Sequence, residues 1–155
     1  MSSWSDPAHW ARLLASNGCP ICSQGGPDHV IAELEVSWLT MGEEPAVLPG
    51  SCALFLKRHA IELHDLPADE AARYMRDLQR VAKALQDATN AVKINYEIHG
   101  NTIPHLHAHF FPRYRGDPFE GRPIDPRMTS STFEAPVEHA EVRRRVMAAL
   151  RNGHG

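Results

Sequence analysis

The sequence predicts an α+β fold, in which one long helix packs on an antiparallel sheet of about five strands and short helices lie near both ends. The helix is indicated by residues 67–85, where apolar side chains recur every three or four positions. The strands are indicated by apolar residues that alternate in 92–98 and run almost uninterrupted in 51–56. The 155 residues, of which 43% are hydrophobic, suffice for one domain with one core.

The first predicted element is a short helix, because Asp6 can cap it and Pro7 suits its first position. Gly18 is expected to end this helix. Segment 30–39 alternates in its second half and is typical of one strand, or of two strands with a bend between them. The apolar strand at 51–56 is expected to be buried on both faces, as in the centre of a sheet.

The long helix is predicted to open at 67–70, where acidic residues suit the positive end of the helix dipole. Its polar face is expected to be solvated and carries Arg73, Arg76, Asp77, Arg80 and Lys83. Segment 115–136 is rich in Pro and Gly and is expected to be irregular. A C-terminal helix is expected over 137–150.

Charge and hydropathy exclude some classes of partner. A formal net charge of −3 argues against bulk binding of nucleic acid, which needs a basic surface. No apolar run is long enough to span a bilayer, and residues 1–6 have neither the basic nor the apolar segment of a signal peptide. We therefore expect a cytoplasmic protein without a nucleic-acid or membrane partner.

Two of the three cysteines, Cys19 and Cys22, are separated by two residues. Thiolates at this spacing can reach one tetrahedral ion, although a redox pair or two idle cysteines would show the same spacing. A redox pair normally opens a helix after a strand. This pair follows a predicted helix and precedes a Gly-Gly turn, so metal binding is favoured. Cys52 is expected to be an ordinary buried residue.

Three histidines, His105, His107 and His109, occupy every second position. In a strand their side chains would share one face, while the apolar residues between them would face the core. A surface strand with chance histidines or a loose metal-binding patch would show the same pattern. A row of three imidazoles has no packing use, however, so the alternation favours a functional site.

The stretch His105-Leu106-His107-Ala108-His109-Phe110-Phe111 resembles the motif of the histidine triad (HIT) superfamily, which contains nucleotide hydrolases and nucleotidyl transferases. The resemblance covers about 19–114 and implies a HIT-like fold, a single HIT domain over 1–155 and a homodimer. The spacing of the triad from Asn95 and from Pro112-Arg113-Tyr114 is most similar to that of bacterial diadenosine tetraphosphate hydrolase-type HIT proteins.

The resemblance also implies a structural Zn²⁺ site. Some branches of the superfamily bind zinc through residues that correspond here to Cys19, Cys22, His59 and His105. Two thiolates and two imidazoles would form a closed tetrahedral site of the structural type.

The middle histidine of the family is the nucleophile, so the resemblance implies that His107 attacks the α-phosphorus of a nucleotide. The other ring nitrogen of His107 should then donate to a backbone carbonyl that fixes the tautomer. His109 would contact the phosphate or leaving-group oxygen and stabilise developing charge. The nucleotide substrate would bring any Mg²⁺ with it.

Six further residues are expected to bind substrate phosphates: Asn95, Gly100, Asn101, Thr102, Ser51 and Arg113. Turn formation is the alternative explanation for Asn101 and Thr102, although phosphate binding is favoured, and the strand of Asn95 could face either way. Arg113 could equally make an ordinary ion pair. Ser51 stands where familiar HIT branches have a histidine, so their substrate preference does not transfer directly.

We therefore expect a hydrolase that cleaves dinucleoside polyphosphates at the α-phosphate through a nucleotidyl-histidine intermediate. A nucleotidyl transferase or phosphorylase, with an acceptor other than water, is the nearest alternative. A non-catalytic nucleotide-binding protein and a metallohydrolase, in which all three histidines bind metal, are further alternatives.

Overall fold

The computed structural model describes residues 3–125 and 133–152. Its strands are β1 (Val30–Glu33), β2 (Ser37–Thr40), β3 (Cys52–Leu56), β4 (Lys93–Glu97) and β5 (His107–Arg113). They form one antiparallel sheet in the order β1-β2-β3-β5-β4. The helices in these ranges are α1 (Pro7–Leu14), α2 (Pro20–Ser23), α3 (Ala68–Thr89) and α4 (His139–Asn152), with 3-10 turns at Ser3–Ser5 and Leu63–Asp65. The predicted α+β fold, with a sheet of about five strands and one long helix, is confirmed.

Helix α1 begins as its sequence predicts, because the Asp6 carboxylate accepts a hydrogen bond from the His9 amide at 2.9 Å. The predicted end at Gly18 is wrong, since the helix already stops at Leu14. Gly18 is needed for a different reason. A Cβ at this position would lie 2.0 Å from the carbonyl oxygen of Arg12, so only glycine permits this close turn.

The two faces of the sheet have different surroundings. Helix α3 covers one face, where Ala108 and Phe110 are fully buried and the Tyr74 hydroxyl donates to the Leu54 carbonyl at 2.9 Å. The opposite face, called the histidine face here, carries alternate residues of three neighbouring strands. Its members are Ala53 and Phe55 of β3, Asn95 and Glu97 of β4, and His107, His109, Phe111 and Arg113 of β5.

The polar face of α3 was expected to be solvated, but one of its charged residues is not. Asp77 is fully buried and accepts hydrogen bonds from the Val36 amide at 3.0 Å and the Ser37 hydroxyl at 2.6 Å. A third, longer bond comes from the Glu35 amide at 3.3 Å. These donors belong to the bend that divides 30–39 into β1 and β2, so this aspartate joins the helix to the first hairpin.

The histidine strand begins two residues later than the alternation predicts. The His105 amide donates to the Ile103 carbonyl at 2.8 Å instead of to a neighbouring strand. Leu106 is still held beside β3, because its carbonyl accepts from the Leu56 amide at 3.0 Å. The backbone at Leu106 is thus held in place between His105, which ends the loop, and His107, which starts β5.

Helix α4 starts at His139, two residues after the predicted start of 137. Residues 115–125 and 133–136 contain no helix or strand, as predicted for 115–136. The rest of that predicted segment, 126–132, lies outside the described residues. Among the helices of the described ranges, none has the length and apolar character needed to cross a bilayer.

Candidate functional site

Four potential metal ligands from distant parts of the chain converge: Cys19, Cys22, His59 and His105. Their ligand atoms all lie within 4.8 Å of one another. The Nδ1 atom of His105 is 3.4 Å from the Cys19 sulfur and 3.6 Å from the Cys22 sulfur, and the Nδ1 atom of His59 is 3.3 Å from the Cys22 sulfur. Tetrahedral zinc, with bonds of about 2.3 and 2.0 Å, places sulfur and nitrogen ligands about 3.6 Å apart. The donor set therefore fits a tetrahedral ion.

The short helix α2 brings both thiols to the same place. Cys19 is its N-cap and Cys22 lies within its single turn. The two cysteines were distinguished from a redox pair because they were not expected to open a helix. That expectation is wrong, since they do open α2. Metal binding is instead supported by the two imidazoles that face the thiols.

Backbone carbonyls fix which nitrogen of each cluster histidine is free. The Nε2 atom of His59 lies 2.9 Å from the Leu14 carbonyl oxygen, and Nε2 of His105 lies 2.7 Å from that of Leu56. A carbonyl oxygen only accepts, so each Nε2 must carry the proton. In the neutral rings, each Nδ1 then presents its lone pair to the thiols, as metal ligation requires. Burial, helped by neighbouring Cys19, raises the pKa of the Cys22 thiol to about 11, an effect that a bound cation would oppose.

The ring of His107 has the opposite arrangement. Its Nδ1 atom lies 2.6 Å from the His105 carbonyl oxygen, so Nδ1 is the protonated nitrogen and Nε2 has the lone pair. Nε2 makes no hydrogen bond with any other described residue. The Phe55 ring stacks on the imidazole at a centroid distance of 4.7 Å and an angle of 10°, which fixes the ring plane. Burial lowers the pKa of His107, which favours the neutral ring.

His109 lies beside His107 on the histidine face, with ring centroids 4.8 Å apart. The Phe111 ring stacks on its other side at 6.0 Å. Burial, followed by the nearby His107 and His99, lowers the pKa of His109 to about 4. His109 is therefore neutral near pH 7 and can donate one N–H hydrogen bond without carrying a charge.

The loop between β4 and β5 contains three of the predicted phosphate-binding residues. Gly100 adopts a φ of +72°, a conformation that favours glycine. Asn101 and Thr102 follow it and are exposed. The backbone amides of these three residues make no hydrogen bond with another described residue, so they are available to an anion that enters the loop.

Two other predicted phosphate ligands have partners within the protein. The Ser51 hydroxyl donates to the Leu48 carbonyl at 2.6 Å and accepts from the Leu48 amide at 3.1 Å. Arg113 forms a two-point ion pair with Asp117, in which both N···O distances are 2.8 Å. Of the two roles considered for Arg113, the ordinary ion pair is the one observed. Asn95 lies on the histidine face, opposite Phe111, which answers the question left open about its strand.

Three residues near the site were not identified from the sequence. Glu97 lies opposite His109, and its carboxylate accepts from Nε2 of His99 at 2.9 Å. The alternation of Asn95 and Glu97 along β4, continued by His99 just beyond its end, could have indicated both Glu97 and His99. Asp117, the partner of Arg113, follows it by four residues. That spacing of opposite charges was the only signal in the sequence that could have indicated the pair.

Comparison with known proteins agrees with this geometry. Residues 24–116, more than half of the chain, match the family described as the HIT domain. A protein of Bacillus subtilis named Protein hit is 30% identical over 98 residues, which are 59% of this chain and 62% of that relative. The alignment thus spans less than two thirds of the relative's length.

Solved structures show the same fold. A histidine triad protein from Bradyrhizobium japonicum is 27% identical, with a TM-score of 0.60 over 79% of this chain and 87% of that chain. A zinc-bound histidine triad family protein from Mycobacterium smegmatis is 26% identical, with a TM-score of 0.61 over 88% of this chain and 96% of that chain. The matched domain, the five-stranded fold and the paired histidines on one sheet face together place this chain in the HIT domain family.

Proposed function

We propose that the protein is a nucleotide hydrolase that cleaves dinucleoside polyphosphates, such as diadenosine tetraphosphate, at the α-phosphate. The reaction would pass through a nucleotidyl intermediate on His107. One observation carries this proposal: the contact of 2.6 Å between Nδ1 and the His105 carbonyl leaves Nε2 as the free, unprotonated nitrogen. Membership of the HIT domain family supports a nucleotide as the substrate.

In the first step, the lone pair of His107 Nε2 would form a bond to the α-phosphorus. The bond from phosphorus to the bridging oxygen would break, and its electron pair would leave with the remaining polyphosphate. His109 would donate a neutral N–H hydrogen bond to the phosphoryl or leaving oxygen, where negative charge develops. In the second step, water would attack phosphorus, the P–N bond would return its electrons to Nε2, and the water proton would pass to solvent.

The phosphate contacts in this proposal come from the loop after β4. The free backbone amides of Gly100, Asn101 and Thr102 would donate hydrogen bonds to the phosphate oxygens, and the side-chain NH₂ group of Asn95 would donate from the adjacent strand. Ser51 and Arg113 are not included, because their polar atoms are used within the protein. Any Mg²⁺ would arrive with the polyphosphate and offset its charge.

The metal would be a structural Zn²⁺ held by Cys19, Cys22, His59 and His105. With four protein ligands it leaves no position for water, so it would cross-link the chain rather than act on substrate. Neither His107 nor His109 belongs to the donor cluster found among the described residues, which disfavours a metallohydrolase.

The proposal also includes a single HIT domain per chain, a homodimer and a cytoplasmic location. Cys19 and Cys22 can bind a metal only while their thiols are reduced, which suits a reducing compartment. Sedimentation velocity of the purified protein tests the dimer directly.

The decisive experiment is incubation with diadenosine tetraphosphate, with and without inorganic phosphate, followed by product analysis. Hydrolysis predicts AMP and ATP under both conditions, and mass spectrometry at alkaline pH should find an adenylyl group on His107. Release of ADP only when phosphate is present would instead show transfer to phosphate.

A substitution provides the matched test. His107→Ala should lower turnover roughly a thousandfold or more, because the nucleophile is lost, while the Kd for AMP should change little. His64→Ala is the control, because the His64 side chain is 82% exposed, and it should behave like the wild type. Unchanged turnover in His107→Ala would refute the assigned nucleophile.

A further inference from the structure

Arg113 is a buried charge that connects the sheet edge to the loop after β5. The residue is 8% exposed. Its Nε and Nη2 atoms donate to the two carboxylate oxygens of Asp117, each at 2.8 Å. Its Nη1 atom donates to Oδ1 of Asn95 at 2.6 Å and to the Arg122 carbonyl at 3.1 Å. The guanidinium therefore has a fixed position with little rotational freedom.

Asp117 keeps Arg113 in this position. Its side chain is 1% exposed and also accepts from the backbone amides of Tyr114 at 3.0 Å and Phe119 at 2.8 Å. Burial alone would raise the pKa of Asp117, but the hydrogen bonds from Arg113 and these amides outweigh it and lower the pKa. The carboxylate is thus ionised and holds two sides of the guanidinium, which leaves the Nη1 edge directed at β4.

The contact with Arg113 determines which way the Asn95 amide is turned. An asparagine side chain has an oxygen that accepts and an NH₂ group that donates, and the two can exchange places by rotation. A guanidinium has donors only. The oxygen must therefore face Arg113, which places the NH₂ group on the other side of the amide. Nδ2 of Asn95 makes no hydrogen bond with any other described residue, so this donor is free.

The register of the sheet shows what the free donor faces. Asn95 is directly opposite Phe111, and the next pair on the same face is Glu97 with His109. The diagonal neighbours of Asn95 on β5 are therefore Arg113 on one side and His109 on the other. With its oxygen turned to Arg113, the amide directs its NH₂ group towards the His109 side of the histidine face.

We propose that Arg113 is a positioning residue, which sets the rotation of the Asn95 amide so that its NH₂ group can donate to a substrate phosphate beside His109. This inference rests on the proposed nucleotide site and assigns Arg113 a role that needs no contact with substrate. Lysine could not replace it, because one ammonium group cannot hold both Asp117 oxygens and reach Asn95 as a planar fork does.

A double-mutant cycle tests the coupling. The kcat/KM for diadenosine tetraphosphate and the Kd for AMP are measured for the wild type, Arg113→Lys, Asn95→Ala and the double variant. Each single substitution should lower kcat/KM roughly tenfold or more, the effect of losing a hydrogen bond to a charged group. If Arg113 acts through Asn95, Arg113→Lys should cause no further loss in the Asn95→Ala background. An equal loss in both backgrounds would mean a merely structural role and would overturn the inference.

Arg144→Lys is the matched control, because the Arg144 side chain is 70% exposed and pairs with Glu141 one turn earlier on helix α4. It should leave kcat/KM unchanged. If Arg113→Lys does not fold, the wild type still provides a test. Saturating AMP should shift the Asn95 side-chain NH₂ signals in an NMR spectrum of isotope-labelled protein, and unshifted signals would overturn the inference.

A wild type that neither binds AMP nor hydrolyses dinucleoside polyphosphates would refute the proposed function rather than the amide orientation. The NH₂ signals of Asn95 in nucleotide-free protein then decide the orientation by themselves. They should change between the wild type and Arg113→Lys, and identical signals would show that Arg113 does not hold the amide.

Discussion

At the scale of single residues, backbone carbonyls give neighbouring histidines different chemistry. In His59 and His105 the carbonyl binds Nε2, which leaves Nδ1 free beside the thiols. In His107 the carbonyl binds Nδ1, which leaves Nε2 free. The free nitrogen therefore depends on which ring atom a carbonyl meets, and identical side chains become suited to metal binding in one case and to nucleophilic attack in the other.

The low pKa of His109 predicts a change of stability with pH. The pKa is lowered to about 4 by burial and by nearby histidines, whereas in the unfolded chain it should be about 6.5. Between these values the unfolded chain binds more protons than the folded one, so the free energy of unfolding should fall as pH decreases from about 6.5 to 4.

Urea denaturation at pH 7 and pH 5 measures this effect. The loss of stability between the two pH values should be smaller for His109→Gln than for the wild type. His64→Gln, at an exposed position, should retain the full loss. An equal loss in all three proteins would show that His109 is not the group responsible.

At the scale of elements, α3 both covers the sheet and fixes the first hairpin. Its apolar face follows the helical period and packs on the sheet. Asp77 lies on the side where a charged residue was expected to be solvated, yet it accepts hydrogen bonds from two backbone amides and one hydroxyl. The bend between β1 and β2 thus has its donors satisfied by a helix about forty residues later, rather than by a turn of its own.

Asp77→Asn should destabilise the protein by about 3 kcal/mol, because the charged acceptor is lost and a new donor is placed beside existing donors. Urea denaturation followed by circular dichroism measures the change. Asp87→Asn is the matched control on the same helix, where Asp87 is exposed and pairs with Lys83. It should cost no more than about 0.5 kcal/mol, and an equal cost at the two positions would contradict the buried role of Asp77.

At the scale of the whole molecule, the cysteine and histidine cluster joins segments that are far apart in sequence. Cys19 and His105 are separated by 86 positions. The ligands come from α2, from the end of β3 and from the approach to β5. A metal bound there would tie the N-terminal helices to the sheet, directly beside the strand that presents His107.

Metal removal should therefore lower Tm by several degrees, as loss of a few kcal/mol does in a chain of this size. We expect one zinc per chain in the purified protein and loss of this zinc in Cys22→Ser. Cys52→Ala is the control, because Cys52 is buried in the main core and outside the cluster, and it should retain the zinc. Full zinc content in Cys22→Ser would overturn the ligand set.

Much of the fold could be predicted, because the spacing of apolar residues indicates a helix or a strand even when the segments that pack against it are unknown. The apolar period of α3 and the alternation around His107 gave the helix, the strand and the shared face of His107 and His109. Element ends were predicted less well. The end of α1, the start of β5 and the start of α4 each differed by two or more residues. Local turns, such as the bonds from the Ala15 amide to the Arg12 carbonyl and from the His105 amide to the Ile103 carbonyl, decide where a regular element stops, and periodicity does not show them.

The sequence by itself determined which chemistry is available, since residue type and spacing fix the two thiols, the row of imidazoles and the face that His107 and His109 share. Only the tertiary structure decided how those groups are used. It turned His105 towards Cys19, left Nε2 of His107 free, and gave the Ser51 hydroxyl and the Arg113 guanidinium partners within the protein. The physical reason is that a hydrogen bond depends on the position of its partner, and these partners are brought close only when distant segments pack together.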